Sequence, residues 1–191
     1  MKRPSQLINS IFLIAIIFLI FFPQPGQSMS KRQDRMIRTL YQQRHNLKLC
    51  YEEGEEKFGS FNEFKQNISL YQLNDQQNLI QVLCHFAAYQ GVYEYYIFEI
   101  YNLKSVVFDT LDFSIESSRK MIKTRPLVGL PEYQTQTQSL VLWSKGRGVG
   151  DCGSWSRYQW DNSQFNLVEY REKSECDGVF VQPNEYPLVY P

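Results

Sequence analysis

Apolar residues recur every three or four positions over residues 30–47, and from residue 68 onward the period shifts towards two. The first pattern predicts a helix over 30–47, because it places Met36, Ile37 and Leu40 on one face, with Ser30 as a candidate N-cap. The second pattern predicts strands. These strands are predicted at residues 68–73, 79–84, 92–101, 103–108, 111–115 and 139–143.

Residues 116–137 contain two prolines, and they are predicted as an irregular connection with room for one short helix. After the strand at 139–143, a last hairpin is predicted around the four-residue loop Asp161–Gln164. Counting outward from the loop gives the cross-strand partners. They are Trp160 with Phe165, Tyr158 with Leu167, Trp155 with Tyr170 on the opposite face, and Cys152 with Lys173.

These elements predict an α+β fold that is predominantly antiparallel β, with one N-terminal helix packed on β-hairpins. Residues 29–78 are predicted as the N-terminal helix and a linking segment, and residues 79–191 as the β-rich domain. The 191 residues include 13 Tyr, 13 Phe and 3 Trp. This is enough apolar surface to form one real core.

Residues 1–28 are predicted as a signal peptide. Lys2 and Arg3 form a basic start, Ile11–Phe22 is an unbroken apolar run, and Gly26–Ser28 supplies small residues for cleavage. A helix of this run spans about 18 Å, which is less than the ~30 Å hydrocarbon core of a bilayer. The alternative is an uncleaved membrane anchor. Under both interpretations the rest of the chain is exported, to the periplasm or the extracellular space.

The charge balance bears on the choice of partner. The chain has 20 basic and 20 acidic residues, and removal of residues 1–28 deletes two basic residues, leaving 18 against 20. A nucleic-acid binder needs a concentrated basic face, so no nucleic acid is expected as a partner. The basic side of helix 30–47 is interpreted as a solvated face in preference to a membrane-binding one. The expected partner is an unknown envelope protein or wall-associated ligand, with membrane contact only through an uncleaved N-terminal segment.

Four cysteines are present: Cys50, Cys84, Cys152 and Cys176. An even number in an exported chain predicts two disulfides, for which three connectivities exist. The pairing Cys152–Cys176 is favoured because these residues bracket one hairpin, and it leaves Cys50 with Cys84. The alternative is a zinc site using His85, but the spacings contain no C-x-x-C pair. No metal and no cofactor are therefore expected.

Residues Gly148–Gly153 match the pattern G-x-G-x-x-G and follow a predicted strand. A dinucleotide site needs a helix next, and a strand-like segment follows here, so that interpretation is rejected. The glycines instead indicate a tight connection that an Arg147–Asp151 ion pair braces. The alternative is a small anion site formed by the backbone amides and Arg147. The candidate ligand or anion contacts are Arg147, Gly148, Gly150, Asp151, Trp155 and Trp160.

No catalytic set is predicted. The sequence has two histidines, His45 and His85, and its thiols are assigned to disulfides, which cannot attack a substrate. Carboxylates such as Asp109, Asp112 and Glu132 are candidates for acid–base chemistry, but the sequence gives no distance between them. The favoured hypothesis is a non-enzymatic binding module of the cell envelope. The alternatives are an envelope hydrolase acting on polysaccharide or peptide, and a small-anion binder.

Several segments resemble a bacterial exported family, the domain-of-unknown-function family 1176. The resemblance covers about residues 79–180 and corresponds to the C-terminal portion of longer, more cysteine-rich members. It implies export and disulfides, and it brings no established activity or catalytic set. The segments that carry it are Leu79–Gln90, Gly129–Tyr133, Leu140–Trp143, Lys145–Gly153, Trp160–Asp161 with Phe165, and Glu175–Gly178.

Overall fold

The computed structural model describes residues 30–51, 57–99, 102–112 and 120–191. The predicted signal peptide and the end of the strand predicted at 111–115 lie outside these ranges. Within them the chain forms helices α1 (Lys31–Gln43) and α2 (Phe61–Gln66), and a 3₁₀ turn at Pro183–Glu185. The strands are β1 (Ile68–Gln72), β2 (Gln77–Phe86), β3 (Gly91–Glu99), β4 (Asn102–Ser105), β5 (Phe108–Asp112), β6 (Lys120–Thr124), β7 (Leu127–Gln134), β8 (Ser139–Lys145), β9 (Gly153–Trp160), β10 (Phe165–Lys173) and β11 (Leu188–Tyr190).

Nine of these strands form one antiparallel sheet in the order β1-β2-β3-β7-β8-β9-β10-β11, with β4 paired to β3 beside this path. Strands β5 and β6 form a separate two-stranded ladder. Disulfides join Cys50 to Cys84 and Cys152 to Cys176. The predicted α+β class, its predominantly antiparallel sheet and both disulfide pairings are confirmed.

The ladder of β2 and β3 is buried on both faces. On one face, Leu79 of β2 and Tyr95 of β3 belong to an interior core inside the sheet. On the other face, Ile80 and Tyr96 belong to a second core under the two helices. The residues that α1 and α2 supply to this second core are Met36, Ile37, Leu40 and Phe64. Side chains of successive strand residues point to opposite faces, so neighbouring positions of β2 enter different cores.

The interior core holds side chains from β2, β3, β7, β8, β9 and β10, and the sheet therefore curls around it. Phe108 lies at its centre, with ring centroids 5.3 Å from Tyr95, 5.0 Å from Tyr158 and 5.8 Å from Phe165. Phe108 can enter the core because one edge of β3 pairs with two different strands, β4 and β7, at its two ends. The end of β3 at Tyr96–Glu99 pairs with β4, while its start at Gly91–Tyr93 pairs with β7.

We call the second core, under the two helices, the helical core. The polar group beside it is the buried Glu94, which is paired with Arg125. The Arg125 guanidinium donates to the Leu47 carbonyl at 2.7 Å and to Glu94 Oε2 at 2.9 Å, and it also contacts the Tyr96 hydroxyl. Burial raises the pKa of Tyr96 far above its usual value, and the hydrogen bond to Glu94 adds to this effect. Because a buried carboxylate needs a partner, Arg125 fixes the turn after α1 against β3.

The last hairpin confirms part of the predicted register. Trp160 pairs with Phe165 and Tyr158 with Leu167. The prediction that Trp155 pairs with Tyr170 is wrong, because a β-bulge between Leu167 and Glu169 shifts the register by one residue. The observed partners beyond the bulge are Ser156 with Tyr170, Trp155 with Arg171, and Gly153, rather than Cys152, with Lys173. The extra residue turns Tyr170 into the interior core.

The prediction of an irregular connection at 116–137 is also wrong, since β6 and β7 lie within it. Pro131 belongs to β7, where it pairs with Leu142 of β8. The ladder between β7 and β3 includes only Leu127–Gly129 of β7, so Pro131 lies beyond it. A strand tolerates proline where its missing amide hydrogen is not needed by a neighbouring strand.

The helical predictions need two corrections. The helix predicted at 30–47 ends at Gln43 and continues as turns. Helix α2 was not predicted, although its start carries a recognisable signal. Ser60 Oγ accepts a hydrogen bond from the Glu63 amide at 3.2 Å, and Glu63 accepts one from the Gly59 amide at 3.0 Å. A serine followed three residues later by a glutamate is a helix N-terminus signature.

We expect Phe108→Ala to destabilise the fold by about 3–5 kcal/mol, because the substitution leaves a cavity at the meeting point of three aromatic rings. Urea unfolding followed by circular dichroism measures the effect. The matched control is Phe180→Ala, which removes an exposed ring and should change stability by less than about 0.5 kcal/mol. Equal losses for the two variants would show that Phe108 is not central to the core.

Candidate binding surface

Three segments far apart in the sequence meet at one end of the sheet. They are the turn at 87–90 between β2 and β3, the loop at 146–152 between β8 and β9, and residues 174–180 after β10. The Tyr89 hydroxyl donates to the Gly146 carbonyl at 3.0 Å, and the Lys145 amide donates to Gln90 Oε1 at 2.9 Å. The first two segments are thus bound directly to each other.

The predicted ion pair between Arg147 and Asp151 is present. Arg147 Nε donates to Asp151 Oδ1 at 2.7 Å, Arg147 Nη2 contacts Oδ2, and the same nitrogen donates to the Cys176 carbonyl at 3.0 Å. The Gly178 amide donates to Asp151 Oδ2 at 2.6 Å. The hydrogen bonds from Arg147 and then from Gly178 hold the pKa of Asp151 well below its usual range. Asp151, whose side chain is 4% exposed, therefore ties the second segment to the third.

Further contacts make this connection rigid. Lys173 Nζ donates to the Asp151 carbonyl at 2.8 Å and to Asp177 Oδ1 at 2.6 Å. The Cys152–Cys176 disulfide joins the same two segments, with Cα atoms 4.9 Å apart. Gly153 has a φ of +141°, and a Cβ there would lie 2.1 Å from the Ser144 carbonyl oxygen. Only glycine fits such a close approach of two backbones.

Three large apolar side chains are exposed on or directly beside these braced segments, and Phe86 is the last residue of β2. Phe86 is 74% exposed, Val149 is 73% exposed and Tyr89 is 40% exposed. We call these three residues the loop-end surface. Single exposed apolar residues are common, but a group of them held on rigid loops is typical of a surface that contacts another molecule. The side chains of the loop-end surface can make apolar and aromatic contacts with another molecule.

The two tryptophans predicted as ligand contacts lie on opposite faces of the sheet. Trp160 is in the interior core, while Trp155 is on the outer face opposite Trp143. The C-terminal segment crosses this outer face. The buried Tyr186 is held there, since its carbonyl accepts from Arg171 Nη1 at 3.0 Å and its hydroxyl donates to the Gly150 carbonyl at 3.4 Å. Trp155 and Trp160 therefore do not share one face of the sheet.

The family described as "Protein of unknown function (DUF1176)" matches residues 22–191. The chain belongs to this family. The match extends beyond the resemblance seen at residues 79–180, and it takes in both helices and β1 as well as the sheet. The three segments that meet at this end of the sheet, 87–90, 146–152 and 174–180, all lie within the DUF1176 match.

The DUF1176 chain is also similar to the uncharacterized protein YpfG of Escherichia coli (strain K12). The two are 24% identical over 148 residues, which is 69% of this chain and 37% of YpfG. The chain therefore spans a little more than a third of the length of that relative. No solved structure matches. Among the described residues of this DUF1176 chain, no helix is long and apolar enough to cross a membrane.

The residues considered for catalysis in the DUF1176 chain are spread over the fold. His45 follows α1, and His85 lies in β2. Glu132 of β7 shares a cross-strand row with Glu169 of β10, with β8 and β9 between them. Neighbouring strands lie about 4.8 Å apart, so the Cα atoms of the two residues are about 14 Å from each other along this row. The side chains of Asp109 and Asp112 lie outside the described part of the structure.

One group of potential metal donors occurs among the described residues of the DUF1176 chain. Cys50 Sγ, Cys84 Sγ and a Glu94 carboxylate oxygen lie within 4.8 Å of one another. The two sulfurs are joined in a disulfide, and the carboxylate is paired with Arg125 at 2.9 Å. A disulfide lacks the thiolate ligands that a soft metal needs, so this group is interpreted as part of the helical core.

We expect Asp151→Asn to destabilise the DUF1176 chain at pH 7 and to have less effect in acid. The folded-state pKa of Asp151 is depressed, so the charged carboxylate stabilises the fold above its unfolded pKa of about 3.9. This stabilisation is lost as pH falls through the lower folded-state pKa. Urea unfolding of wild type and variant at pH 7 and pH 3 measures the difference, which should shrink at pH 3.

The control for this experiment is Asp75→Asn, which changes an exposed aspartate in the turn between β1 and β2. Its difference from wild type should stay near zero at both pH values. An Asp151→Asn difference that is equally large at pH 3 and pH 7 would contradict the assigned role of the Asp151 charge.

Proposed function

We propose that this chain is an exported cell-envelope protein that acts as a non-enzymatic binding module and contacts an envelope partner protein through the loop-end surface. The exposed apolar side chains of Phe86, at the end of β2, and of Tyr89 and Val149 on braced loops carry this proposal. Apolar contacts of this kind lose water on binding, which is the main source of affinity in protein association.

The rigidity of the loops supports a binding role. An ion pair, a disulfide and several hydrogen bonds to backbone atoms fix the segments that carry Tyr89 and Val149. A flexible loop loses conformational entropy when a partner orders it, whereas a loop that is already fixed loses little. The cross-links around Arg147 and Asp151 thus lower the free-energy cost of presenting Val149 to a partner.

Two features support export. The chain carries two disulfides, and no free cysteine occurs among the described residues. Disulfides form and persist in oxidising compartments and are rare in the cytosol. The sequence of residues 1–28 has the order of a signal peptide, in which a basic start is followed by an apolar run and small residues.

The alternative of an envelope hydrolase receives less support. A pair of carboxylates that cleaves a glycosidic bond is about 5–9.5 Å apart, and the row that contains Glu132 and Glu169 separates their Cα atoms by about 14 Å. Glu169 is also paired with Arg157 at 2.9 Å and with Arg171 at 2.5 Å. These guanidinium groups lower the pKa of Glu169, which opposes its use as a general acid.

The binding role is tested by placing the photoreactive residue p-benzoylphenylalanine at position 86 or 149 in the full-length protein in growing cells. Irradiation should give the same discrete protein adduct from both positions. Two control positions, Asn62 on α2 and Ser163 in the β9–β10 loop, are exposed on other parts of the surface and should not give it. The adduct is identified by mass spectrometry after purification.

A matched variant shows whether the adduct depends on the loop-end surface. The substitution Val149→Ser removes the apolar side chain from an exposed position and should leave folding unchanged. It should lower the yield of the adduct formed from position 86 several-fold, because the partner loses apolar contact. An adduct that also forms at Asn62, or that is insensitive to Val149→Ser, would rule out a specific partner at this surface.

Export is tested separately by cell fractionation and thiol labelling of the natively produced protein. We expect the protein in the envelope or extracellular fraction, with all four cysteines resistant to a maleimide until a reductant is added. The control is a variant lacking residues 2–28, which should stay in the cytoplasm and label without reduction. Free thiols in the full-length protein would contradict the proposed location.

A further inference from the structure

Helix α1 carries a row of basic side chains on the side opposite the helical core. The residues that it buries are Met36, Ile37 and Leu40. An α-helix turns by about 100° per residue, so the positions that point most directly away from this buried face are 31, 35, 38 and 42. Lys31, Arg35 and Arg38 occupy three of these positions, and all four are exposed. We call these three residues the basic crest.

The acidic residue of α1 is shared by two cations. Asp34 Oδ2 accepts a hydrogen bond from Arg38 Nε at 2.6 Å, and Asp34 Oδ1 lies 3.8 Å from Lys65 Nζ of α2. Arg32 is a further exposed cation of α1, and it donates to the uncharged carbonyl of Asp75 at 3.1 Å. The helix thus has four basic residues and one acidic residue, whereas the chain without residues 1–28 has more acidic than basic residues. Positive charge is therefore concentrated on α1.

The position of these cations along α1 opposes the stability of the helix. Lys31 and Arg32 lie in its first turn, and its last turn has no basic residue. The N-terminal end of a helix carries a partial positive charge, so cations are unfavourable there and favourable at the other end. The sequence alone favours a solvated face for these charges. Their placement on the crest and in the first turn instead favours a role in contact with an anionic surface.

The order of segments in the sequence indicates which anionic surface this is. Only residues 23–30 separate the apolar run Ile11–Phe22 from the start of α1. This run is predicted to enter a membrane, either as a signal peptide or as an uncleaved anchor. Four or more Lys and Arg residues on an amphipathic helix are typical of segments that bind anionic lipids. A membrane surface is therefore favoured over an anionic polymer or an acidic protein.

We propose that the basic crest of α1 binds the anionic headgroups of a phospholipid membrane. The apolar face of α1 packs in the helical core, so the contact is electrostatic and involves no insertion of that face into the hydrocarbon. Lipid phosphate groups accept charge-assisted hydrogen bonds from guanidinium and ammonium groups. This membrane contact uses none of the residues of the loop-end surface, so it goes beyond the proposed function and is tested separately.

The test measures flotation of the purified full-length protein with vesicles. We expect phosphatidylcholine vesicles with about 30% phosphatidylglycerol to bind at least about tenfold more protein than pure phosphatidylcholine vesicles in dilute buffer. Binding to the anionic vesicles should be lost in about 0.5 M NaCl, because salt screens exposed charges. Equal binding to the two kinds of vesicle would overturn the proposal, since the N-terminal apolar run would then account for it.

A double variant assigns the binding to the crest. Lys31→Gln together with Arg35→Gln removes two positive charges from exposed positions. Each cation close to an anionic membrane strengthens binding about fivefold, so the double variant should bind the anionic vesicles about twenty-five times more weakly. Its unfolding midpoint in urea should equal or exceed that of the wild type, because Lys31 lies at the unfavourable end of the helix dipole. An unchanged vesicle affinity would overturn the proposal.

The matched control is Lys104→Gln together with Lys123→Gln, which removes two positive charges from exposed positions on β4 and β6. It should leave the vesicle affinity unchanged. Equal losses for the two double variants would overturn the assignment to α1, because net charge alone would then control binding. Retention of the wild type on heparin beads without flotation on anionic vesicles would also overturn the proposal, and would indicate an anionic polymer as the partner.

Discussion

Both faces of the β2–β3 ladder are removed from water, and the rest of the fold follows from this constraint. A sheet that is covered on one face only can leave every second residue polar, whereas β2 is buried at successive positions from Asn78 to Val82. The chain must therefore supply two covers for one ladder. Helices α1 and α2 form the first cover, and the curling of the sheet through β7 to β10 forms the second.

Buried polar groups on the two faces of the β2–β3 ladder have different surroundings. Glu94 lies on the helical side and is paired with Arg125, which also holds the turn after α1. The Cys50–Cys84 disulfide joins that same turn to β2, so the small helical cover is fixed to the sheet both covalently and by the hydrogen bond from Arg125 to the Leu47 carbonyl. The tyrosines lie on the inner side, where the described residues provide no charge to balance a buried ion.

The parts of the fold that depend on local sequence could be predicted. The β9–β10 loop is an example, since Asp161 accepts hydrogen bonds from the amides of Ser163 and Gln164, both at 2.8 Å. The bulge beyond it was missed, although the period of two breaks after Leu167. A strict alternation would turn Glu169 inward, and one extra residue lets Tyr170 take the inner position instead. The prolines led to the wrong prediction of an irregular connection where β7 lies. Pro131 fits in this strand because it lies outside the ladder with β3, and its position relative to that ladder depends on tertiary structure.

The candidate sites were harder to foresee for a physical reason. The glycine-rich loop could be recognised, and the Arg147–Asp151 pair could be predicted from its spacing. The contact of this loop with Tyr89 joins residues 57 positions apart. Chain topology sets such distances, and local residue preferences carry no information about them.

The ladder between β3 and β7 has only three residue pairs, from Gly91 with Gly129 to Tyr93 with Leu127. It is the one seam that joins the two halves of the described main sheet, and its neighbouring ladders are longer. Because it has few hydrogen bonds to break, we expect this seam to open at a lower free energy than the longer β2–β3 and β7–β8 ladders on either side of it. Tyr93 lies on this seam and packs against the interior core, so an opening of the seam would expose the rim of that core to solvent.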